Sequence, residues 1–324
     1  MSLIGRAKDV ARWIRWLVRG PQPAILLYHR IVEDEFDPWG LAVAPDRFEA
    51  QMDWLARNRS VLPLADFARR HRERSLPRDA IAITFDDGYA CNAETAAPIL
   101  QRLGLPATIF LPAELIEQRR EFWWDELQQI VLEHPGDRLS MDGAEVEIGP
   151  RSPEDHRWPA HADARTDRQR AFFSIWSGLR PRPPAEIDAV MAGLRRQSEP
   201  AKLRPSHLPM SANEIRSAGP TIAFGSHALT HPSLPSLDTA TKAREIRDSV
   251  ARCEAISGHR PATLAYPFGD HDPECEALAE QAGFDCACIT GQRFVTADDR
   301  PFALPRLQVG DWSAEQLARA LAAR

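Results

Sequence analysis

Residues Ala80-Ile81-Ala82-Ile83-Thr84-Phe85-Asp86-Asp87-Gly88 carry an apolar, β-branched run straight into two adjacent carboxylates and a glycine, with no polar spacer. A run of this length and composition reads as a strand buried on both faces, as in parallel sheets. Charge at its end is costly unless it is paired or meets an ion. Successive side chains at a strand end point in different directions, so Asp86 and Asp87 can face different partners, one a metal and the other a proton. Gly88 permits a tight turn or the close approach of a ligand. By itself the segment also reads as a strand followed by an ordinary Asp-Asp-Gly turn.

The flanking chain sets this strand in an alternation of strands and helices. Ala24 to Tyr28 is a first apolar run that ends at His29, and an acidic loop from Glu33 to Asp37 follows. Pro45-Asp46 starts an expected helix with Phe48, Met52, Trp54 and Leu55 on its apolar positions, and Leu64 to Arg74 reads as a second. Asn92 to Leu103 reads as a helix stopped by Gly104, and Ala107 to Leu111 as a strand closed by Pro112. Beyond Met210 the pattern resumes with expected strands at 221–224, 262–266, 284–290 and 304–309 and a long helix from Asp238 to Ile256. Alternation at roughly 25-residue intervals predicts parallel strands joined by crossover helices, an α/β fold. It stops from about residue 113 to 210, where a tryptophan-rich helix, a hairpin turn at Asp142-Gly143 and two further helices read as a mainly helical insertion within a domain spanning 21–324.

With 44% hydrophobic residues in 324 and a net charge of -6, the chain reads as a globular protein with no basic excess for nucleic acid. Its five cysteines are an odd number, and Cys286 and Cys288 alternate along a strand instead of forming a zinc pair. Free thiols and a reducing compartment are the expectation. Residues 1–20 lack the apolar run of a secretory signal, which predicts a cytoplasmic location. Within them Val10, Trp13, Ile14, Leu17 and Val18 fall at helical spacing beside Arg12, Arg15 and Arg19. Such an amphipathic helix suits packing on the domain that follows, or contact with the inner membrane surface.

Four polar positions fall at or just beyond the ends of expected parallel strands: His29, the Asp86–Asp87 pair, His227 with His231, and Tyr266-Pro267-Phe268-Gly269. The carboxyl ends of parallel strands form one face, where ligands bind, so all four are expected to converge. Two imidazoles and one carboxylate suffice to hold a catalytic zinc and leave a fourth position for water. His227 and His231 are four apart, and Pro232 biases His231 toward extended backbone, which favours a compact loop over a helix. Alone, the two histidines fit surface residues equally well; the aspartate pair on the same face favours ligands. Trp39, Trp123, Trp124, Trp158, Trp176 and Trp312 are candidates for stacking on sugar rings, although aromatic residues at helical spacing more often belong to a core.

Thr84-Phe85-Asp86-Asp87-Gly88 and Ser226-His227-Ala228-Leu229-Thr230-His231 resemble, in residue type, order and spacing, the first two motifs of the NodB-like polysaccharide deacetylases of carbohydrate esterase family 4. The resemblance covers most of residues 21 to 311 outside the insertion. It implies a distorted (β/α) barrel of about seven parallel strands and the metal-dependent hydrolysis of N-acetyl groups on a carbohydrate substrate. Asp87, His227 and His231 resemble the metal ligands, with Zn²⁺ as the ion and Co²⁺, Ni²⁺ or Mn²⁺ as alternatives, and Asp86 resembles the catalytic base. Tyr266, Pro267 and Phe268 correspond to the third motif, which contributes substrate or oxyanion contacts.

That third motif lacks the arginine that holds the base in the family, and Arg306 on a later strand is the candidate to replace it, an ion pair between strands being its alternative role. No histidine follows His271 to supply the usual acid. Tyr28-His29 is similar to the arrangement in members that make bacterial surface polysaccharides, where the acid comes from the first strand. Asp311-Trp312 resembles the fourth motif only weakly. Phosphatases of the haloacid dehalogenase type need aspartates separated by one residue, which the adjacent pair does not offer. An amidohydrolase of another substrate, an O-acetyl esterase and a non-catalytic glycan-binding relative share parts of the pattern; the last would show a lost ligand or base, and none is lost.

Overall fold

A computed structural model describes residues 20–322 apart from 117, 119, 161 and 199–202. Residues 1–19 of the expected amphipathic segment therefore lie outside the described residues. In chain order, β1 (Ala24–Tyr28) is followed by a short parallel ribbon of β2 (Arg30–Ile31) and β3 (Ala42–Val43), then by β4 (Ser60–Val61), β5 (Ala80–Phe85) and β6 (Ala107–Leu111). The hairpin β7 (Arg138–Met141) and β8 (Ala144–Glu147) turns through Asp142 and Gly143, both at positive φ. The last strands are β9 (Ile222–Ser226), β10 (Thr263–Ala265), β11 (Cys286–Thr290) and β12 (Leu304–Gln308). Seven of them close a parallel barrel in the order β1-β12-β11-β10-β9-β6-β5, with β5 returning to β1 and β4 paired to the start of β5.

Two-residue periodicity explains why these runs look uniformly apolar. Ile81, Ile83 and Phe85 face outward into a cluster with Phe48, Met52 and Leu55 of the helix Pro45–Asn58, while Ala80 and Ala82 share the interior with Ile25, Phe110, Cys286, Cys288 and Leu304. Both faces are dry, so both are apolar. A Cβ at Gly225 would sit 2.5 Å from the Phe110 ring, so glycine there lets that ring fill the barrel. All five cysteines are buried free thiols.

The segment between β6 and β9 builds a second apolar cluster, with Leu127, Ile130, Trp158, Phe172, Met191 and Leu194 packed between the helices Trp123–Leu132, Asp167–Leu179 and Pro184–Arg195. The helix expected from Asn92 instead begins with a wide π turn over Asn92–Ala96 and becomes α-helical over Ala97–Leu103. Pro98 has no N–H to bond back to residue 94, which breaks the regular ladder there. Among the described residues no helix is long and apolar enough to cross a membrane.

Candidate metal and catalytic centre

Strand parity carries the first carboxylate inward. Ala80, Ala82 and Thr84 face the barrel interior, and Asp86 extends their row because its N–H still bonds Tyr28 O at 3.0 Å in the β1–β5 ladder. There it meets Arg306, which lies wholly buried on the same side of β12 as Leu304. Nη1 and Nη2 donate to the two carboxylate oxygens at 2.6 and 2.7 Å. Burial by itself would raise the Asp86 carboxyl, but the Arg306 guanidinium, with His227, outweighs it and holds the group far below the usual carboxylate range. The buried carboxylate is therefore ionised.

Asp87 leaves the strand with φ 69°, followed by Gly88 at 62°, a left-handed step that aspartate tolerates better than most residues. A Cβ at Gly88 would lie 2.6 Å from Leu111, so the turn needs glycine. Asp87 Oδ1 then sits 3.6 Å from His227 Nε2 and 3.3 Å from His231 Nε2. One ligand atom from each of these three buried residues lies within 4.8 Å of the others.

His227 continues β9, its N–H bonded to Leu111 O, and its Nδ1 lies 2.7 Å from Ala265 O, which can only accept. Nδ1 therefore carries the proton, and the Nε2 lone pair faces Asp87. His231 closes a compact loop, as expected, but with φ 57° in place of the extended backbone that Pro232 favours, and Ala228 is left-handed too at 61°. That costly turn aims the second imidazole at the same carboxylate. Burial lowers the pKa of both imidazoles, that of His231 to about 3, so both are neutral donors. Burial pushes Asp87 up, against His29 and His227, and its Oδ1 is buried without a hydrogen-bond partner. One unpartnered carboxylate oxygen and two neutral imidazoles form a donor set that fits a divalent ion of the zinc type.

His29, half-buried at the end of β1, lines the cavity above this cluster, and its carbonyl accepts a 2.7 Å bond from Asn92 Nδ2. Its Nδ1 is buried without a partner. Burial lowers its pKa, opposed by Asp87 and Asp86. Phe268, at φ 59°, places its ring edge-on to His231 with centroids 4.5 Å apart. Gly269 packs so tightly on Thr290 that a Cβ would collide with it. Tyr266 and Pro267, expected to touch substrate, are not among the cavity residues. Tyr266 points outward between Leu264 and Ala279, and its hydroxyl donates to Phe302 O. Ala265 faces the interior, so the next side chain of the strand must face away. Asp311 is likewise outside the cavity, accepting from Ala44 N, and Trp312 packs on the outer core.

The cavity measures about 240 Å³. Trp39, Trp124, Trp176 and Arg180 wall it, and the Trp39 and Trp176 rings lie 4.4 Å apart. Of the adjacent pair Trp123 and Trp124, it is Trp124 that lines the cavity, 4.4 Å from His231 and held through its Nε1 by Tyr89. Arg180 lies over the Phe268 ring at 4.9 Å and pairs with Asp270. Only its adjacency to the helix ending at Leu179 marks it in the sequence, and that says nothing about a cavity.

A family model described as polysaccharide deacetylase matches residues 73–137 and 191–287, together half of the chain. YxkH of Bacillus subtilis (strain 168), named for the same family, is 28% identical over 143 residues, 42% of this chain and 50% of that protein. The chain thus spans about half the length of this curated relative. Among solved structures it is similar to the deacetylase PplD of Streptococcus pyogenes in complex with acetate. The TM-score is 0.61 at 16% identity over 93% of this chain and 99% of that one. It is also similar to IcaB from Ammonifex degensii, with a TM-score of 0.56 at 16% identity over 94% and 98% of the two chains. At such identities the likeness is one of fold, and the fold is the seven-stranded NodB-like barrel. The chain belongs to the polysaccharide deacetylase family.

Proposed function

We propose that this protein removes the acetyl group from an N-acetylated sugar in a glycan or glycan precursor of a bacterial surface polysaccharide, with zinc at Asp87, His227 and His231. The observation that carries the reading is the meeting of these three side chains beside a second carboxylate that an arginine holds ionised. When bound, such an ion supplies Lewis-acid activation of water and of the acetyl carbonyl. Asp86 takes the proton that water gives up on attacking the carbonyl carbon, and Arg306 keeps its carboxylate in place. The backbone N–H of Phe268 is the candidate donor to the developing oxyanion. His29, neutral in the resting site, takes a proton from solvent as negative charge accumulates and passes it to the sugar nitrogen, while the proton held by Asp86 returns to solvent to complete the cycle. The C–N bond then breaks to leave acetate and a free amine. The structural likeness to a deacetylase solved with acetate supports this product. A cytoplasmic site of action at the inner membrane surface is proposed with it, on the amphipathic spacing of Val10, Trp13, Ile14 and Leu17.

The test is acetate release by the zinc-loaded protein from a panel of N-acetylated mono- and oligosaccharides. Turnover that falls by about 10²- to 10⁴-fold in His29→Ala, with zinc content unchanged, is the expected result. Hydrolysis of simple non-sugar amides with no acetate from any saccharide would refute it.

A further inference from the structure

The three residues between His227 and His231 have every backbone N–H bound by a side chain. Ser226 Oγ accepts from Ala228 at 3.2 Å, and Glu245 Oε2 accepts from Leu229 at 3.1 Å and from Thr230 at 3.0 Å. Glu245 Oε1 also accepts from the Thr230 hydroxyl at 2.9 Å. Glu245 projects from the long helix Thr239–Ser257 and is 1% exposed. On the other side of the loop, Ala228 O and Leu229 O accept from the N–H groups of Ala113 and Glu114 just after β6. Without Glu245 the amides of Leu229 and Thr230 would lose their acceptor, and the side-chain contact of Ser226 Oγ with Ala228 would be left to hold a turn that contains the left-handed residues Ala228 and His231. Burial raises the Glu245 carboxyl, and the loop's donors oppose the rise, so carboxylate and loop satisfy each other.

We infer that Glu245 is a positioning residue for the metal loop: by holding the amides of Leu229 and Thr230 it fixes the turn that aims both His227 and His231 at Asp87. The inference rests on the metal reading above. Groups that orient ligands from behind typically change metal affinity by about 10- to 100-fold when removed. Glutamine can replace the carboxylate with little loss, because its oxygen can accept from the two amides while the Thr230 hydroxyl reverses to accept from its NH₂.

The experiment is zinc affinity by chelator competition, together with the melting temperature of the metal-free protein, for wild type, Glu245→Ala and Glu245→Gln. The expected result is an affinity loss of about 10- to 100-fold in the alanine variant and rescue to within about threefold by glutamine. If the alanine variant does not fold, Glu245→Asp, which draws the carboxylate back by one methylene, is expected to show the same loss. Wild-type affinity in a folded Ala or Asp variant, even with a lowered melting temperature, would reduce Glu245 to a structural tie and overturn the inference. Equal losses in the Gln and Ala variants would also overturn it. A wild-type protein that holds no zinc would refute the metal reading itself, a separate outcome read in the same assay.

Discussion

Arg306 and Arg168 are both wholly buried, in two different parts of the molecule, and their partners differ. Arg306, in the barrel, donates two bonds to the Asp86 carboxylate, whereas Arg168, in the segment between β6 and β9, donates to backbone carbonyls of Gly149, Val131, His134 and Gly136. Val131 and its neighbours end the helix Trp123–Leu132, so Arg168 satisfies the orphan carbonyls of a helix terminus and sits at its negative end. Arg306 fixes the charge state of a group facing a cavity; Arg168 joins a helix end to the loops around it. A buried cation thus reveals a working site by the charge it meets and by what that charge faces.

The comparison predicts divergent losses. Arg306→Leu leaves a buried carboxylate unpaired, which is expected to cost about 3 to 5 kcal/mol of stability. Acetate release is expected to fall by about 10²-fold or more, since Asp86, the proposed base, loses its position. Unimpaired turnover in that variant would erase the distinction. Arg168→Ala is expected to cost on the order of 3 kcal/mol by leaving buried carbonyls unsatisfied. Its turnover, measured below its melting temperature, should stay within about twofold of wild type. A larger drop would mean that the insertion's interior couples to the chemistry.

The smallest effect is one of pH. In wild type the Asp86 carboxyl is depressed, so its contribution to stability is fully present above the unfolded value of about 3.9 and is lost only as pH falls below that toward the folded value. In Arg306→Leu the largest influence against burial is gone and His227 and His29 alone oppose it, so the carboxyl rises and lowering the pH lets it take a proton. The stability gap between the two proteins, from denaturant midpoints, should therefore narrow between pH 7 and pH 5. A constant gap would show that Asp86 does not feel Arg306 as described.

Most of the barrel was legible because each strand states its own parity. Alternate residues of 80–86 point one way, which places Asp86 inside, and Leu304, Arg306 and Gln308 form a similar row on β12, with Gln308 at the cavity. The same rule applied to Ala265 excludes Tyr266 from the cavity, and the sequence reading missed it by treating the third motif as one block. The cavity walls were less legible. Trp39 and Trp176 belong to a loop and a helix whose approach to the barrel depends on tertiary packing, and Glu245 is one acid among several on an amphipathic helix. Nothing local to those residues says what they will touch.

The central claim is that Asp87, His227 and His231 hold one divalent ion, and the zinc stoichiometry of purified wild-type and Asp87→Ala protein after equal loading and gel filtration tests it most directly. The account predicts one equivalent in the wild type and little or none in the variant, with the fold retained by circular dichroism. A full equivalent in folded Asp87→Ala would contradict it.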